Sequence, residues 1–350
     1  MRRLMACLLA ALCIAAALPA CAETGYGFLI TRQYNGQTYY ARPSGELTTV
    51  LLIGYDHNAE GQLEELHGYS NGGQADFLLL VVLDHRYDQI HLLQIDRDTM
   101  ARVRVTDAKG RQHDRSAIQI CLAHAYGNTR EANNANTVLA VETLLGIEAA
   151  DDGACIDWYM AMDISGISRL NDLLGGVTIT IREDLTQIDP AMTAGARLTL
   201  TGDQAEKFCR SRRGVGDQTN ASRMERQKQY MEAASGRLLE LSRADADYGL
   251  KLLDGMGVIY DMAAQSYGGY SFGPAYEGTE TGDAAGRWLM TSAQRKTIVA
   301  ALANALDYEL LETETLPGEH SLGTNGYIRY DLEKDAGVHW ALSVFYRNEE

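Results

Sequence analysis

The chain has 350 residues, of which 46% are hydrophobic and 22% charged, so it can bury a large core as one large domain or two smaller ones. Its 31 basic and 47 acidic residues give a formal net charge of −16, which excludes the broad positive face that general nucleic-acid binding requires. Thirty-four glycines and only five prolines indicate many turns and no rigid proline-rich linker.

The N-terminal segment, residues 1–22, is typical of an export signal. Arg2 and Arg3 precede an apolar run from Leu4 to Ala22, a pattern that leaves the basic end in the cytoplasm. Three fates stay open: cleavage at an A-x-A-like sequence, acylation of Cys21 in a lipoprotein-like box, or retention as a membrane span. In each case we expect the rest of the chain to act outside the cytoplasm, either anchored or released.

Three buried strands are predicted after a lead-in segment over residues 23–45. They are Thr48–Ile53, Phe77–Leu83 and Gln89–Ile95, apolar runs of the length that the centre of a covered sheet requires. A glycine- and acid-rich loop reaches to about Gly73, and Asp84–Asp88 is predicted to turn the chain into the third strand.

Helices and strands then alternate along the chain. We predict helices over Asn134–Gly146, Ser165–Leu174 and Ala221–Leu241, and strands over Trp158–Met162 and Val177–Ile181. The sequence from Thr201 to Gln204 has the residue types of a capped helix start. Such alternation predicts an α/β fold with a mixed central sheet covered by helices.

The expected domain covers residues 46–243, and residues 244–350 form a C-terminal extension. Within the extension, Tyr267–Gly286 is rich in glycine, tyrosine and acidic residues and is predicted to be a loop. Ser292–Leu310 is predicted to be helical, followed by one or two strands around Tyr327–Tyr330 and Leu342–Tyr346.

Three cysteines lie beyond the export signal: Cys121, Cys155 and Cys209. Their odd number and irregular spacing match neither a disulfide framework nor a metal-ligand pattern. A Cys121–Cys155 bridge and buried free thiols both stay open. Cys209, next to Arg210, is interpreted as a packing residue on the inward face of a strand rather than as a nucleophile.

An arginine cluster lies between Phe208 and Tyr230 of this acidic protein, formed by Arg210, Arg212, Arg213, Arg223 and Arg226. Guanidinium groups bind phosphate oxygens as bidentate donors and stay charged at physiological pH. Arg210 and Arg212 would share one face of a strand, with Arg213 on the other face. Arg223 and Gln227, four residues apart, would share one face of a helix. The cluster therefore indicates either an anion site or a solvated, salt-bridged helix surface.

Charged residues also lie at the ends of the three predicted strands. Asp56 follows the first strand, Asp76 precedes the second, and Arg97 and Asp98 follow the third. In sheets covered by helices, ligands bind where the loops at strand ends converge. Two carboxylates together with the arginine cluster would suit a divalent cation bound to pyrophosphate. Alternatively, Asp56 and Asp76 only cap their own turns.

In the wording and order of its motifs, the chain resembles the LytR-CpsA-Psr family from about Leu51 to Leu239. The segments that carry the resemblance are LLIGYD, QADFLLLVVLD, LLQIDRDT, HAYGN, TVLAVETLLGI, the VTITI strand after LLGG, LTGDQAEKFCRSR and RMERQ. The resemblance implies a phosphotransferase of cell wall biogenesis. Such an enzyme would move a glycopolymer such as teichoic acid from an undecaprenyl-pyrophosphate carrier to peptidoglycan, at the outer face of the cytoplasmic membrane.

The resemblance also implies roles for individual residues. Asp56 and Asp76 would hold Mg²⁺ or Mn²⁺, and Asp76 would be the general base toward the attacking sugar hydroxyl. Arg97 would belong to the catalytic set with these two aspartates. The implied pyrophosphate-binding residues are Arg97, Arg210, Arg212, Arg223 and Gln227.

Two positions depart from the family pattern. Gln74 stands where the family usually has an arginine, and glutamine can donate a hydrogen bond but carries no charge. Arg102 or Arg104 would be the candidates to replace that charge. Two alternatives to the transferase therefore stay open: a binding module for polyprenyl-phosphate lipids, and an extracellular pyrophosphatase that uses the same residues. Asp96 replaces the usual proline before Arg97, and it would either join the metal site or weaken Arg97.

Overall fold

The computed structural model describes residues 31–43, 45–56, 70–71, 73–107, 109–127, 130–147, 156, 158–164, 166–212, 220–245, 248, 251–252, 270–274, 308–323 and 326–348. The chain divides into two compact units. We call one the sheet unit; its described residues are those of 31–161, 271–274 and 311–348. The other is the helical unit, whose described residues are those of 162–252, 270 and 308–310.

The strands are β1 Thr31–Tyr34, β2 Gln37–Ala41, β3 Leu47–Asp56, β4 Ser70–Asn71, β5 Gln74–Asp84, β6 Gln89–Ile95, β7 Met100–Thr106, β8 Gln112–Gln119, β9 Tyr126–Gly127, β10 Trp158–Asp163, β11 Val177–Thr180, β12 Arg197–Leu200, β13 Tyr270–Pro274, β14 Glu309–Thr315, β15 Gly318–Leu322, β16 Ile328–Leu332 and β17 Tyr346–Asn348. The helices are α1 Arg130–Leu145, α2 Gly166–Leu173, α3 Gly202–Arg210, α4 Asn220–Ala244 and α5 Ala336–Phe345.

A six-stranded sheet in the order β13-β10-β3-β5-β6-β14 has all or most of each strand in the sheet unit and forms its centre. The strands β3, β5 and β6 pair antiparallel, and their inner residues Leu51, Leu80 and Leu93 are fully buried. Helices α1 and α5 contribute side chains to the same core, among them Val141 and Ala341. The predicted α/β fold with a mixed central sheet is thus confirmed.

The helical unit has its own core. Leu170, Phe208, Tyr230 and Leu238 pack together there, from α2, α3 and α4. The strands β11 and β12 add an antiparallel hairpin next to these helices. Thr201 forms the predicted cap of α3: its hydroxyl accepts from the Gln204 amide, and the Gln204 side chain accepts from the Thr201 amide.

The predicted strand over Leu342–Tyr346 is wrong, because these residues complete helix α5 up to Phe345. The buried residues Ala336, Trp340, Ala341 and Val344 follow helical spacing, so they face the core together. Gly337 allows α5 to lie against α1, since a Cβ atom there would come within 2.1 Å of the Leu144 carbonyl oxygen. A short apolar run alone does not distinguish a buried strand from a buried helix.

Other sequence predictions fall only partly within the described residues. The predicted loop over Tyr267–Gly286 is wrong for residues 270–274, where tyrosine and phenylalanine favour the strand β13 over a loop. Most of the predicted helix over Ser292–Leu310 lies outside the described residues, and its last two residues begin β14. Residues 1–30 and Cys155 also lie outside them. Among the helices that the structure describes, none combines the length and the apolar character needed to cross a bilayer.

Candidate active site

A β-bulge sets the position of Asp76 at the end of the central sheet. In the register of β3 and β5, Gly54 is opposite Phe77 and Tyr55 is opposite Ala75, so Asp76 is the extra residue of β5. Bulges bend a strand and redirect its side chains, and they are frequent next to active sites. Gly54 permits the close approach of the strands, because a Cβ atom there would lie 3.0 Å from the Phe77 Cβ.

Arg97, directly after β6, contacts four side chains around this bulge. Its guanidinium group donates to the Asp76 carboxylate and to the Gln74 side-chain oxygen. Its Nε lies 3.5 Å from Asp98 Oδ1, and its Nη2 lies 3.4 Å from Cys121 Sγ. With only 14% of its side chain exposed, Arg97 is held in one orientation at the edge of the sheet.

The charges around Arg97 keep it a cation. Burial lowers the pKa of Arg97, but the carboxylates of Asp76 and Asp98 oppose this effect, and the pKa of Arg97 lies above its usual value. Burial raises the pKa of Cys121 to about 12, so this free, buried thiol is neutral. Burial likewise raises the pKa of Cys209, which is also free. The interpretation of Cys209 as a packing residue agrees with this burial, although its predicted strand does not form.

Asp56 ends β3, where it is half-buried and lies opposite Gln74 in the strand register. Asp56 and Asp76 are therefore carried by paired strands at one end of the sheet. Carboxylate oxygens are hard ligands of the kind that Mg²⁺ and Mn²⁺ prefer, so the donor set fits the predicted cation.

His124, in the HAYGN segment, lies beside the bulge and carries no predicted role of its own. It is buried and stacks on Tyr55 with a centroid distance of 4.5 Å. Its ring nitrogens lie 3.2 Å from the Gly73 carbonyl oxygen and 3.1 Å from Asn134 Oδ1. Because Gly73 has a positive φ of 80° and directly precedes Gln74, these contacts support the turn from which β5 begins.

The two arginines suggested as replacements for a charge at Gln74 bind a different residue. Arg102 Nη2 lies 2.5 Å and Arg104 Nε 3.3 Å from the carboxylate of Asp114, across the β7–β8 hairpin. Gln74 itself uses its side-chain oxygen to accept from Arg97. The glutamine thus adds a neutral acceptor to Arg97.

In the helical unit, the predicted strand through Arg210 and Arg212 is wrong. Arg210 is the last residue of α3, Ser211 caps that helix in an extended conformation, and Arg212 follows it. The cap at Thr201 starts a helix whose buried residues Ala205, Phe208 and Cys209 follow helical spacing. Arg213 lies outside the described residues, and the predicted opposite face of a strand no longer applies to it.

The remaining members of the predicted pyrophosphate set lie on α3 and α4. Arg223 and Gln227 are on the predicted helix, both buried; Arg223 donates to Asn220 Oδ1 at 2.6 Å. Gln227 donates to the Cys209 carbonyl oxygen at 3.4 Å, and Arg210 lies 3.4 Å from Glu206. Burial raises the pKa of Glu206 against the opposing effect of Arg210. Arg223 is therefore buried near the start of α4. The alternative interpretation of the arginine cluster, a solvated and salt-bridged helix surface, does not describe this residue.

Arg226 has a structural role within the helical unit. Its Nε donates to the Phe208 carbonyl oxygen at 3.2 Å, and its Nη2 donates to the Ser211 carbonyl oxygen. Its Nη1 binds Glu183 Oε1 at 2.6 Å. The last carbonyl groups of a helix have no partner within the helix, so Arg226 satisfies the end of α3 from α4.

The predicted site residues thus form two sets in two units. Asp56, Gln74, Asp76 and Arg97 belong to the sheet unit, and Arg210, Arg212, Arg223 and Gln227 to the helical unit. The structure brings Asp76, Gln74 and Arg97 into contact. That both sets bind one pyrophosphate group stays a prediction.

The fold and the contacts of Arg97 place this protein among α/β proteins with a polar site at the ends of sheet strands. The family model LytR_cpsA_psr matches residues 31–243, more than half of the chain, so the chain belongs to the LytR-CpsA-Psr family, as the resemblance implied.

Individual relatives extend this comparison. Over 212 residues, the chain is 27% identical to the polyisoprenyl-teichoic acid–peptidoglycan teichoic acid transferase TagU of Halalkalibacterium halodurans, covering 60% of this chain and 58% of the relative. The corresponding protein of Bacillus cereus is 26% identical over 187 residues, with 53% of this chain and 51% of that protein covered. The chain therefore spans little more than half the length of these curated relatives.

A crystal structure of a Streptococcus agalactiae protein superposes with a TM-score of 0.59 at 16% identity, covering 87% of this chain and 90% of that one. At this identity the likeness supports the fold alone.

Proposed function

We propose that the chain is a cell-envelope phosphotransferase that moves a glycopolymer from a polyprenyl-pyrophosphate carrier, of the undecaprenyl type, to peptidoglycan. The observation that carries the proposal is the contact of Arg97 with Asp76 at the bulged end of β5, in a member of this family. The names of the TagU relatives state the same class of reaction for those proteins. Such an enzyme acts at the outer face of the cytoplasmic membrane. The export-like N-terminal segment supports that location, whether the chain is anchored by this segment, anchored by a lipid or released.

In the proposed reaction, Arg97 first changes its hydrogen-bond acceptors. Its guanidinium group, now on Asp76 and Gln74, would turn its donors to the pyrophosphate oxygens. The Asp76 carboxylate would then accept the proton of the peptidoglycan hydroxyl. The hydroxyl oxygen forms a bond to the sugar-linked phosphorus, the pyrophosphate P–O bond breaks, and polyprenyl phosphate leaves with the electron pair.

The other proposed ligands act on the charge of the pyrophosphate. Asp56 and Asp76 would hold Mg²⁺ or Mn²⁺, which offsets negative charge on the phosphate oxygens when it is bound. Arg210, Arg212, Arg223 and Gln227 would bind the remaining phosphate oxygens, because charge stabilisation supplies most of the catalysis of phosphoryl transfer.

A transfer assay with the purified full chain tests this function. We expect a labelled polyprenyl-pyrophosphate glycan to become attached to added peptidoglycan in the presence of Mg²⁺, and we expect chelation to stop the reaction. Asp76→Ala serves as the control that lacks the proposed base. Turnover no higher than that of Asp76→Ala would overturn the proposal. Release of the phosphorylated glycan into solution, with none on peptidoglycan, would instead identify the pyrophosphatase alternative.

A second candidate, a binding module for polyprenyl-phosphate lipids with weak activity, is favoured by one observation. Gln74 supplies a neutral acceptor to Arg97. The resemblance to the family implies an arginine at this position, so the glutamine lacks the charge that would bind pyrophosphate. Arg97 already donates to Asp76 and Gln74, which occupies the donors that pyrophosphate would need. For this candidate we expect slow transfer by a protein that still binds the lipid.

Gln74→Arg separates the two candidates. If the glutamine limits the reaction, the substitution should raise turnover about tenfold, the equivalent of one charge-assisted hydrogen bond of about 1.5 kcal/mol. Single-turnover rates with and without the substitution provide the measurement. Gln112→Arg, at an exposed position of β8, is the matched control and should leave the rate unchanged. If the wild type transfers rapidly and Gln74→Arg changes the transfer rate less than twofold, the binding-module candidate loses its support.

A further inference from the structure

A second group of potential ligands lies where the end of β6 meets the hairpin formed by β15 and β16. Asp96 and Asp98 lie on either side of Arg97 in the sequence, and His320 comes from β15. One ligand atom of each of these three residues lies within 4.8 Å of the others. The group combines a nitrogen ligand with two carboxylates from chain segments that are more than two hundred residues apart.

Main-chain contacts hold the two segments together independently of His320. The Tyr330 amide donates to the Asp98 carbonyl oxygen at 2.8 Å, and Thr99 forms a parallel β-bridge with Tyr330. The Gln119 side-chain amide donates to Asp98 Oδ1 at 2.7 Å and to the Ile328 carbonyl oxygen at 2.8 Å. The three ligands are therefore brought together by the fold and not by an exposed side-chain contact alone.

Hydrogen bonds also orient the ligand atoms. Asp96 Oδ1 accepts from the Asp98 amide at 2.8 Å, which turns Asp96 Oδ2 toward His320 Nε2, 3.0 Å away. The His320 ring packs on Tyr330 with a centroid distance of 4.6 Å. Metal ligands in proteins typically have their orientation fixed by such outer contacts.

The charges at this place favour a cation. Asp96 and Asp98 are 7% and 2% exposed, and two buried carboxylates this close repel each other. His320 Nε2 contacts Asp96 Oδ2, and Arg97 supplies one positive charge near Asp98, with its Nε 3.5 Å from Asp98 Oδ1. Arg97 shares that charge with Asp76, so the group keeps a net negative charge. A dication bound to both carboxylates and to neutral imidazole removes the repulsion at once.

We propose that Asp96, Asp98 and His320 form a binding site for a transition-metal dication of the Zn²⁺ type, separate from the cation site proposed at Asp56 and Asp76. Imidazole suits Zn²⁺ and related metals, whereas Mg²⁺ prefers oxygen ligands and water. Three protein ligands leave one position of a tetrahedral site for water, and the 37% exposure of the His320 side chain gives that position access to solvent. The bound metal would add a further link between the β15–β16 hairpin and the segment that carries Arg97.

Metal titration of the full chain, stripped with chelator and freed of any affinity tag, tests this site without an activity assay. We expect Zn²⁺ to bind with one equivalent that is retained in excess Mg²⁺, and Co²⁺ to give visible absorption bands of a four-coordinate site. His320→Gln and Asp96→Asn should each weaken Zn²⁺ binding at least tenfold and remove the Co²⁺ bands. Unchanged thermal unfolding of either variant in chelator shows that it has folded.

His113→Gln is the matched control, because His113 Nε2 lies 3.5 Å from Asp107 Oδ2 as a histidine–aspartate pair outside the group of three. It should bind Zn²⁺ like the wild type. The proposal is overturned if wild type binds no Zn²⁺, or if both His320→Gln and Asp96→Asn bind it unchanged. It is also overturned if Asp76→Asn loses the Zn²⁺ equivalent while His320→Gln keeps it, because the metal would then lie at the proposed Mg²⁺ site. None of these outcomes depends on whether the chain transfers a glycopolymer.

Discussion

Arg97→Lys should lower the rate of glycopolymer transfer by about 10²–10³-fold, the loss that follows removal of one aligned donor from a developing negative charge. The planar guanidinium of Arg97 reaches Asp76 and Gln74 with two different nitrogens. A lysine ammonium keeps the charge but cannot reproduce this fork on two phosphate oxygens. Single-turnover transfer rates, together with the affinity for a short-chain polyprenyl pyrophosphate, measure the effect.

Two further variants separate the catalytic effect of Arg97 from its effect on the fold. Arg97→Met removes the cation from the buried carboxylates of Asp76 and Asp98, so it should also cost about 3–5 kcal/mol of unfolding free energy. Arg102→Lys, in an exposed pair with Asp114, should change neither rate nor stability. An Arg97→Lys variant that transfers as fast as the wild type would show that Arg97 only holds Asp76 in place.

The central strands could be predicted from the sequence because their signal is local. The run Gln89–Ile95 matches β6 residue for residue, since both of its ends are marked by charged or turn-forming residues. The capped start of α3 was likewise visible in four residues, Thr201 to Gln204. Asp56, Asp76 and Arg97 adjoin these predicted strands, which makes them candidates, but their position alone also fits residues that cap turns. Their predicted roles come from the resemblance to the family.

The errors arose where several interpretations fit one short stretch. The alternation of Arg210 and Arg212 favours a strand, but the helix capped by Thr201 continues through Arg210. In α5, the apolar residues after Trp340 fit a strand or a helix, and their packing against the core and against α1 favours the helix. Packing between elements decided both cases, and a single sequence does not display it.

Contacts between residues that are far apart in the sequence leave no pattern within a short stretch of it. His320 lies 224 residues from Asp96, and no spacing rule joins the two. The bulge that sets Asp76 depends on the register of β5 against Gly54, which the apolar pattern of β5 does not specify. Arg226 belongs to the predicted arginine cluster, because composition does not distinguish a ligand-binding guanidinium from one that completes a helix end.

The second large effect is expected at Arg226, where replacement by methionine should lower the unfolding free energy by about 3 kcal/mol. Its side chain is 5% exposed and satisfies two carbonyl groups at the end of α3 as well as Glu183. Removing one partner of a buried ion pair costs about 3–5 kcal/mol, and the lower value applies because the Glu183 side chain keeps 31% exposure to water. Denaturant unfolding should show a lower midpoint with an unchanged slope, since the size of the folded unit is the same.

The neighbouring residues provide the control for Arg226→Met. Arg182 and Glu225 each precede a member of the Glu183–Arg226 pair and form an ion pair at 2.5 Å, but their side chains are 58% and 56% exposed. Exposed pairs contribute about 0–1 kcal/mol, so Arg182→Met should leave the unfolding midpoint almost unchanged. Because Arg226 fixes the end of α3, Arg226→Met should also weaken binding of polyprenyl pyrophosphate if Arg210 and Arg212 contact that ligand. Equal stability losses in Arg226→Met and Arg182→Met would show that Arg226 does not support α3, and its assignment as a structural residue would be wrong.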